Sequence, residues 1–320
     1  MSLGIKPFER GLHDLGSGGY AWLQPDGGWG WSNAGLIVSE GESLLVDTLF
    51  DVRLTHEMLN AMRAADRAAA HIGTLVNTHA NGDHCNGNEL VKDAEIISSK
   101  ATAEELAQDT PERLAEMMRL APGLGEVGEF LQYCFGDFDF ENIRQTLPTR
   151  TFDDALKITC GDKDVMLRHV GPCHTRGDIL VHVPADKLMF TGDILFVEGH
   201  PILWAGPVGN WIDACDYILG LDLETIVPGH GPITDHRGVR AVRNYLVYVR
   251  DEARKRFDAS MPVYDAAMDI SMTDYDSWGD GERIVVNVAT LYREFGAPGP
   301  SAGPAELFAL MAKLHKARRH

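Results

Sequence analysis

Two kinds of apolar spacing divide the chain. Between Ala34 and Phe50 two short apolar runs, GLIVSE and SLLVDT, flank Glu40-Gly41-Glu42, a pattern that predicts a β-hairpin. Val52 to Ala70 has the apolar spacing and alanine content of a helix, and Ile72 to Asn77 then reads as a buried strand running into Thr78 and His79. From Lys100 to Asn142 the spacing is helical, broken at Pro111, Pro122 and several glycines, which predicts a helical insertion. Strands are expected again at Leu156–Thr159, Val165–Val170, Ile179–Val183 and Leu188–Thr191, a helix near Trp211–Leu219, and a last strand at Thr225–Val227. Beyond Thr234 the spacing is helical through Phe257, again over Arg283–Phe295 and Ala305–Arg318, with Gly/Pro punctuation from Ala297 to Pro304. The predicted organisation is an α/β domain over residues 1–235 with its insertion at about 100–142, and a helical extension over 236–320 packed on the same domain.

At 320 residues, 44% hydrophobic and 24% charged, the chain has the make-up of a folded globular protein. Its formal net charge of −18, spread along the sequence, argues against a nucleic-acid or anionic-membrane surface and favours a small-molecule substrate. The five cysteines (Cys85, Cys134, Cys160, Cys173, Cys215) are irregularly spaced without a CxxC pair, so neither a disulfide framework nor a structural zinc knuckle is expected. A reducing, cytoplasmic setting fits this usage, and no apolar stretch is long enough to predict a membrane span.

Candidate chemistry concentrates at strand ends. Thr78-His79-Ala80-Asn81-Gly82-Asp83-His84 follows an apolar strand and packs two imidazoles and a carboxylate into one glycine-containing loop, a donor set suited to Zn²⁺ and comparable ions. Three further pieces occupy similar places: Gly171-Pro172-Cys173-His174-Thr175-Arg176-Gly177-Asp178, Phe190-Thr191-Gly192-Asp193 and Val227-Pro228-Gly229-His230-Gly231. Loops at one edge of a layered α/β fold converge, so donors distant in sequence can meet there.

Taken in order from Asp47 to His230, these pieces resemble the metallo-β-lactamase superfamily: a strand-terminal Asp47, an HxHxDH-like loop with His79, Asp83 and His84, then His174, Asp193 and His230. The resemblance implies an αββα sandwich with one or two ions on one rim. One ion would be held by the HxH pair and His174, the other by Asp83, His84 and His230, with Asp193 bridging and Asp47 supporting the loop from behind. Asn81 stands where the pattern has its middle histidine. A neutral amide is a weaker zinc ligand than imidazole, so the second site is expected to fill first, leaving Asn81 to donate its NH₂ to a developing oxyanion. Zn²⁺ is the expected ion, with Fe or Mn as alternatives.

Around this centre, His200 is a candidate replacement ligand or substrate contact. Trp29 and Trp31, in a glycine-rich loop, resemble a covering hairpin, and Trp204 with Trp211 is a candidate opposing wall. Cys85 and Cys173 adjoin proposed ligands and read as buried thiols pointing away from them. The function expected is hydrolysis of a small-molecule ester, thioester, lactone, amide or sulfate ester by zinc-activated hydroxide, with Asp83 and Asn81 taking part. A mononuclear non-haem iron oxidoreductase of the sulfur dioxygenase type, built on His79, His174 and Asp193, is one alternative; a non-catalytic metal-binding protein is another. The helical tail is a candidate surface for homo-oligomerisation or for closing the pocket.

Overall fold

The computed structural model describes residues 2–297 and 302–318; part of the Gly/Pro stretch between Ala297 and Pro304 lies outside them. Twelve strands form two sheets among the described residues. The first holds β1 (Gly11–Gly16), β2 (Gly19–Leu23), β3 (Ala34–Ser39), β4 (Glu42–Val46), β5 (Thr74–Val76), β6 (Glu95–Ser99) and β7 (Arg150–Phe152), in that spatial order. It is antiparallel from β1 to β4 and parallel from β4 to β7. The second is built from β8 (Ala155–Cys160), β9 (Lys163–His169), β10 (Ile179–Val183), β11 (Leu188–Phe190) and β12 (Thr225–Val227), in the reverse spatial order, with only β11 and β12 parallel.

Strict alternation explains why these strands read as unbroken apolar runs. Ile37, Leu44, Val46, Val76, Ile97, Val181, Phe190 and Val227 face a core between the sheets, while their neighbours Leu36, Leu45, Leu75, Ile96, Leu180, Met189 and Ile226 face the helices outside. Both faces are dry, so neither needs polar residues. The result is the expected αββα layering. The β3–β4 turn forms as read, with Glu40 and Gly41 both at positive φ (49° and 82°), the geometry of a tight two-residue hairpin.

The helices are α1 (Val52–Ala65), α2 (Gly82–Cys85), α3 (Lys100–Leu106), α4 (Pro111–Leu120), α5 (Glu126–Phe135), α6 (Val208–Leu219), α7 (His236–Asp258), α8 (Val263–Asp269), α9 (Ile284–Glu294) and α10 (Pro304–Arg318). Asp51 caps α1 through Leu54 N at 2.6 Å, and Asp235 caps α7 through Arg237 N at 2.7 Å. The Val52–Ala70 helix ends five residues early, because Asp66 breaks it and caps a short 3₁₀ turn over Arg67–Ala70. The helical insertion comprises α3, α4 and α5. Sequence patterning missed the β1–β2 hairpin, β6, β7 and α8. Helices α7, α9 and α10 share one buried cluster with α1 and α6, and no helix among the described residues is long and apolar enough to cross a membrane.

Trp211 on α6 is fully buried; its indole donates to Ile194 O at 2.8 Å and its ring meets His174 edge-on at 5.9 Å. The sequence expectation that it lines a substrate wall is therefore corrected: it packs behind His174. Trp211→Ala is expected to cost about 3–5 kcal/mol of stability, read as a lowered midpoint in urea unfolding.

Candidate metal centre

The carboxyl ends of β4, β5, β11 and β12 meet at one rim, joined there by the loop entering β10. Just past β4, Asp47 adopts a left-handed backbone (φ 63°), which costs a non-glycine residue on the order of 1–3 kcal/mol. Its buried carboxylate accepts from Thr78 N and Thr78 Oγ1, both at 2.7 Å, and from His84 Nδ1 at 2.9 Å. Thr78 Oγ1, having given its only proton to Asp47, accepts from Nδ1 of His79 at 3.0 Å. His174 Nδ1 donates to Ile202 O at 2.7 Å and His230 Nδ1 to Gly27 O at 3.1 Å. Every ring is thus anchored through Nδ1 and turns Nε2 inward.

The inward atoms converge. Asp193 Oδ1 lies 3.1 Å from His84 Nε2, and Asp193 Oδ2 lies 3.2 Å from His174 Nε2, 3.5 Å from His230 Nε2 and 3.6 Å from His79 Nε2. Asp83 Oδ2 stands 3.2 Å from His230 Nε2 and 3.8 Å from His84 Nε2. Two overlapping triads, His79/His84/Asp193 and Asp83/His84/His230, each gather their donor atoms within 4.8 Å. The Nε2 atoms of His79, His84 and His174 and Oδ1 of Asp193 are buried without a hydrogen-bond partner. Buried groups are seldom left so; nitrogen and carboxylate donors left this way around one point fit a divalent cation.

Electrostatics divides the imidazoles into two pairs. Burial holds His79 and His174 below the usual histidine range. Burial pulls His84 and His230 the same way, but Asp193 and Asp83 outweigh it, raising His84 well above that range and His230 to about 9. Burial likewise works against a charged Asp193, yet His230, His84 and His79 hold its carboxyl well below the ordinary carboxylate value. Carboxylates this deep need positive charge beside them.

Local sequence makes room for the cluster. A side chain on Gly229 would collide with Asp193 Oδ1, so only glycine lets the loop after β12 cross that carboxylate. Asn33 Nδ2 holds the same loop through Pro228 O (3.0 Å) and Gly231 O (2.8 Å), and Ser32 Oγ donates to Asp83 O at 2.5 Å. Sequence reasoning missed Ser32 and Asn33, whose only signal is their place after the glycine/tryptophan loop. The thiols of Cys85 and Cys173 donate to His79 O and Val170 O, both at 3.1 Å, turned from the cluster as expected.

A cavity of roughly 620 Å³ opens over the centre, with Asp83, His174, Asp193 and His230 at its floor and Asn81, Trp29 and Trp204 among its walls. Asn81 makes no side-chain hydrogen bond within the described residues. Trp29 is fixed by a hydrogen bond from its indole to Glu282 Oε1 (2.8 Å) and by the Arg283 guanidinium 4.4 Å above its ring. Two expectations are corrected. Trp31 packs on Phe138, ring centroids 4.7 Å apart, and does not line the cavity. His200 is buried with Nδ1 3.1 Å from the Tyr245 hydroxyl, held there because its carbonyl accepts from Arg283 Nη1 at 3.0 Å. Phe135, Arg283 and Phe308, also on the cavity wall, lie in helical segments where nothing in the sequence marks them.

The family model described as metallo-beta-lactamase superfamily matches residues 27–230. Acyl-coenzyme A thioesterase MBLAC2 of Bos taurus is 26% identical over 235 residues, 67% of this chain and 78% of that protein. The 2,4-dinitroanisole O-demethylase subunit alpha of Nocardioides sp. (strain JS1661) is 23% identical over 251 residues, 72% of this chain and 65% of that one. Among solved structures, the stereoselective inverting sec-alkylsulfatase Pisa1 from Pseudomonas sp. superposes with a TM-score of 0.67 at 15% identity over 93% of this chain, which spans only about half (52%) of the sulfatase. A metallo-beta-lactamase from Pontibacter korlensis gives 0.57 at 16% identity over 75% of this chain and 99% of its own.

If Asp47 fixes His84 for a metal, Asp47→Ala lowers metal affinity about 10–100-fold, measured by chelator competition on protein whose circular dichroism is unchanged.

Proposed function

Because the chain belongs to the metallo-β-lactamase superfamily and is one of its hydrolases, we propose that it hydrolyses a small-molecule ester, thioester, lactone, amide or sulfate ester with Zn²⁺ as its working ion. The observation that carries this reading is the set of buried, unpartnered Nε2 and carboxylate atoms facing one another on the cavity floor. His79, His174 and Asp193 would hold one ion, and Asp83, His84 and His230 the other, with Asp193 between them. An ion such as Zn²⁺ would supply Lewis acidity and bring the pKa of a water down to about 7.

The remaining steps belong to side chains. The Asp83 side chain is 11% exposed against 3% for Asp193, so Asp83 is the carboxylate better placed to orient water from the cavity and take its proton. Asn81, with no partner for its amide, donates to the oxygen on which negative charge develops. The apolar walls exclude bulk water and strengthen both interactions. With only two protein donors besides the shared Asp193, the first site would hold its ion more weakly than the second.

The relatives support this class of chemistry: one is named an acyl-coenzyme A thioesterase and a structural neighbour an alkylsulfatase, both names for hydrolysis at a polar bond beside an apolar group. Residues 236–320 are best treated as an extension of the 1–235 domain, since Arg283 and Phe308 complete its cavity wall.

The test is elemental analysis of protein purified without added metal, followed by a panel of chromogenic esters, thioesters, lactones and sulfate esters before and after chelation. Expected is one ion surviving mild chelation, loss of turnover with full removal, and recovery on adding Zn²⁺; turnover that persists in metal-free protein rejects the proposal. Asn81→Ala is expected to lower kcat about 10²–10³-fold at unchanged metal content. Unchanged turnover removes Asn81 from the mechanism.

A further inference from the structure

We infer that the substrate is a neutral or at most singly charged molecule that lodges an apolar chain or ring in the chamber above the His/Asp cluster, and that a polyanionic carrier is selected against. This deepens the hydrolase reading and rests on it for the identity of the site. The first half follows from the walls. Trp29, Phe135, Phe196, Trp204 and Phe308 line the space over the cluster; Phe196 stacks on His230 and the other four brace one another. Trp204 stacks on Phe308 at 6.2 Å, and Trp29 meets Phe135 edge-on at 5.9 Å. A pocket of this size, within the roughly 300–1,000 Å³ that buries a drug-sized ligand, is too large for an acetyl-sized group alone. Its apolar surface rewards a longer one, by about fourfold in affinity per buried methylene.

The second half follows from the charges. The exposed lining residues are mainly polar, so the rim is where a leaving group emerges. Each arginine of the lining already has a carboxylate partner: Arg113 with Asp109 at 3.6 Å, Arg176 with Glu104 at 3.3 Å, and Arg283 with Asp280 at 2.8 Å. Glu105 and Asp109 line the same opening. Among the described residues the lining holds no lysine and no arginine without a carboxylate partner to meet a phosphate, and a chain of net charge −18 repels a polyanion before it arrives.

Binding of non-hydrolysable thioethers to the metal-loaded protein, followed by calorimetry, tests both halves without relying on turnover. S-octyl-N-acetylcysteamine is expected to bind at least about tenfold more tightly than its S-ethyl counterpart. It is also expected to bind about tenfold more tightly than S-octyl coenzyme A at low salt, the gap narrowing as salt is added. Trp204→Ala and Phe308→Ala should weaken the octyl ligand and leave the ethyl ligand unchanged. Equal affinity for ethyl and octyl, or coenzyme A binding as tightly as the neutral thioether, overturns the inference. Loss of catalysis on octanoyl esters and thioesters, with the binding pattern intact, sinks the hydrolase reading and leaves this one standing.

Discussion

Burying two carboxylates a few ångströms apart is the constraint from which the rest of this architecture follows. Asp83 and Asp193 sit at the meeting point of both sheets, away from bulk water, and would repel each other without compensation. Four imidazoles encircle them, each locked by a hydrogen bond on its far nitrogen. Asp47 ties this ring to the first sheet. Its backbone strain is tolerated because one carboxylate serves a main-chain amide, a hydroxyl and an imidazole at once.

Stability and chemistry share the same parts here. Phe196 stacks on His230 with centroids 5.0 Å apart and planes within 8°, and the Arg283 guanidinium lies 5.1 Å from the Phe196 ring centroid. Trp211 backs His174 edge-on from α6. Two of the four parallel pairings, β4–β5 and β11–β12, bring strand ends to one rim, the place where open α/β sheets present their ligand sites. His84 and His79 thus take their orientation from Asp47 and Thr78, just past β4 and β5, while His174 and His230 take theirs from the carbonyls of Ile202 and Gly27.

How much of this was legible beforehand depends on the range of the interaction. The β3–β4 hairpin, the strands leading to Thr78 and Thr191, and the ordered His/Asp positions are local signals of alternation and spacing, and they read directly. The β1–β2 hairpin was opaque because its edge strand is only partly buried and its apolar pattern is weak. His200 and Trp31 misled because a histidine or tryptophan near a motif says nothing about rotamer; Tyr245 and Phe138, far off in sequence, decide where those rings go. Arg283, Phe135 and Phe308 carried no signal, since a residue on an amphipathic helix looks alike whether it faces a core or a cavity.

The chamber's ceiling is drawn from three remote stretches of chain: the loop bearing Trp29, the insertion bearing Phe135, and the terminal helix bearing Phe308. None of these three rings belongs to the ionisable floor. Diversification of such a protein can therefore proceed from above: exchanging or shortening an outer helix reshapes what is admitted while the reactive groups beneath keep their places, and new substrates become accessible without rebuilding the sandwich.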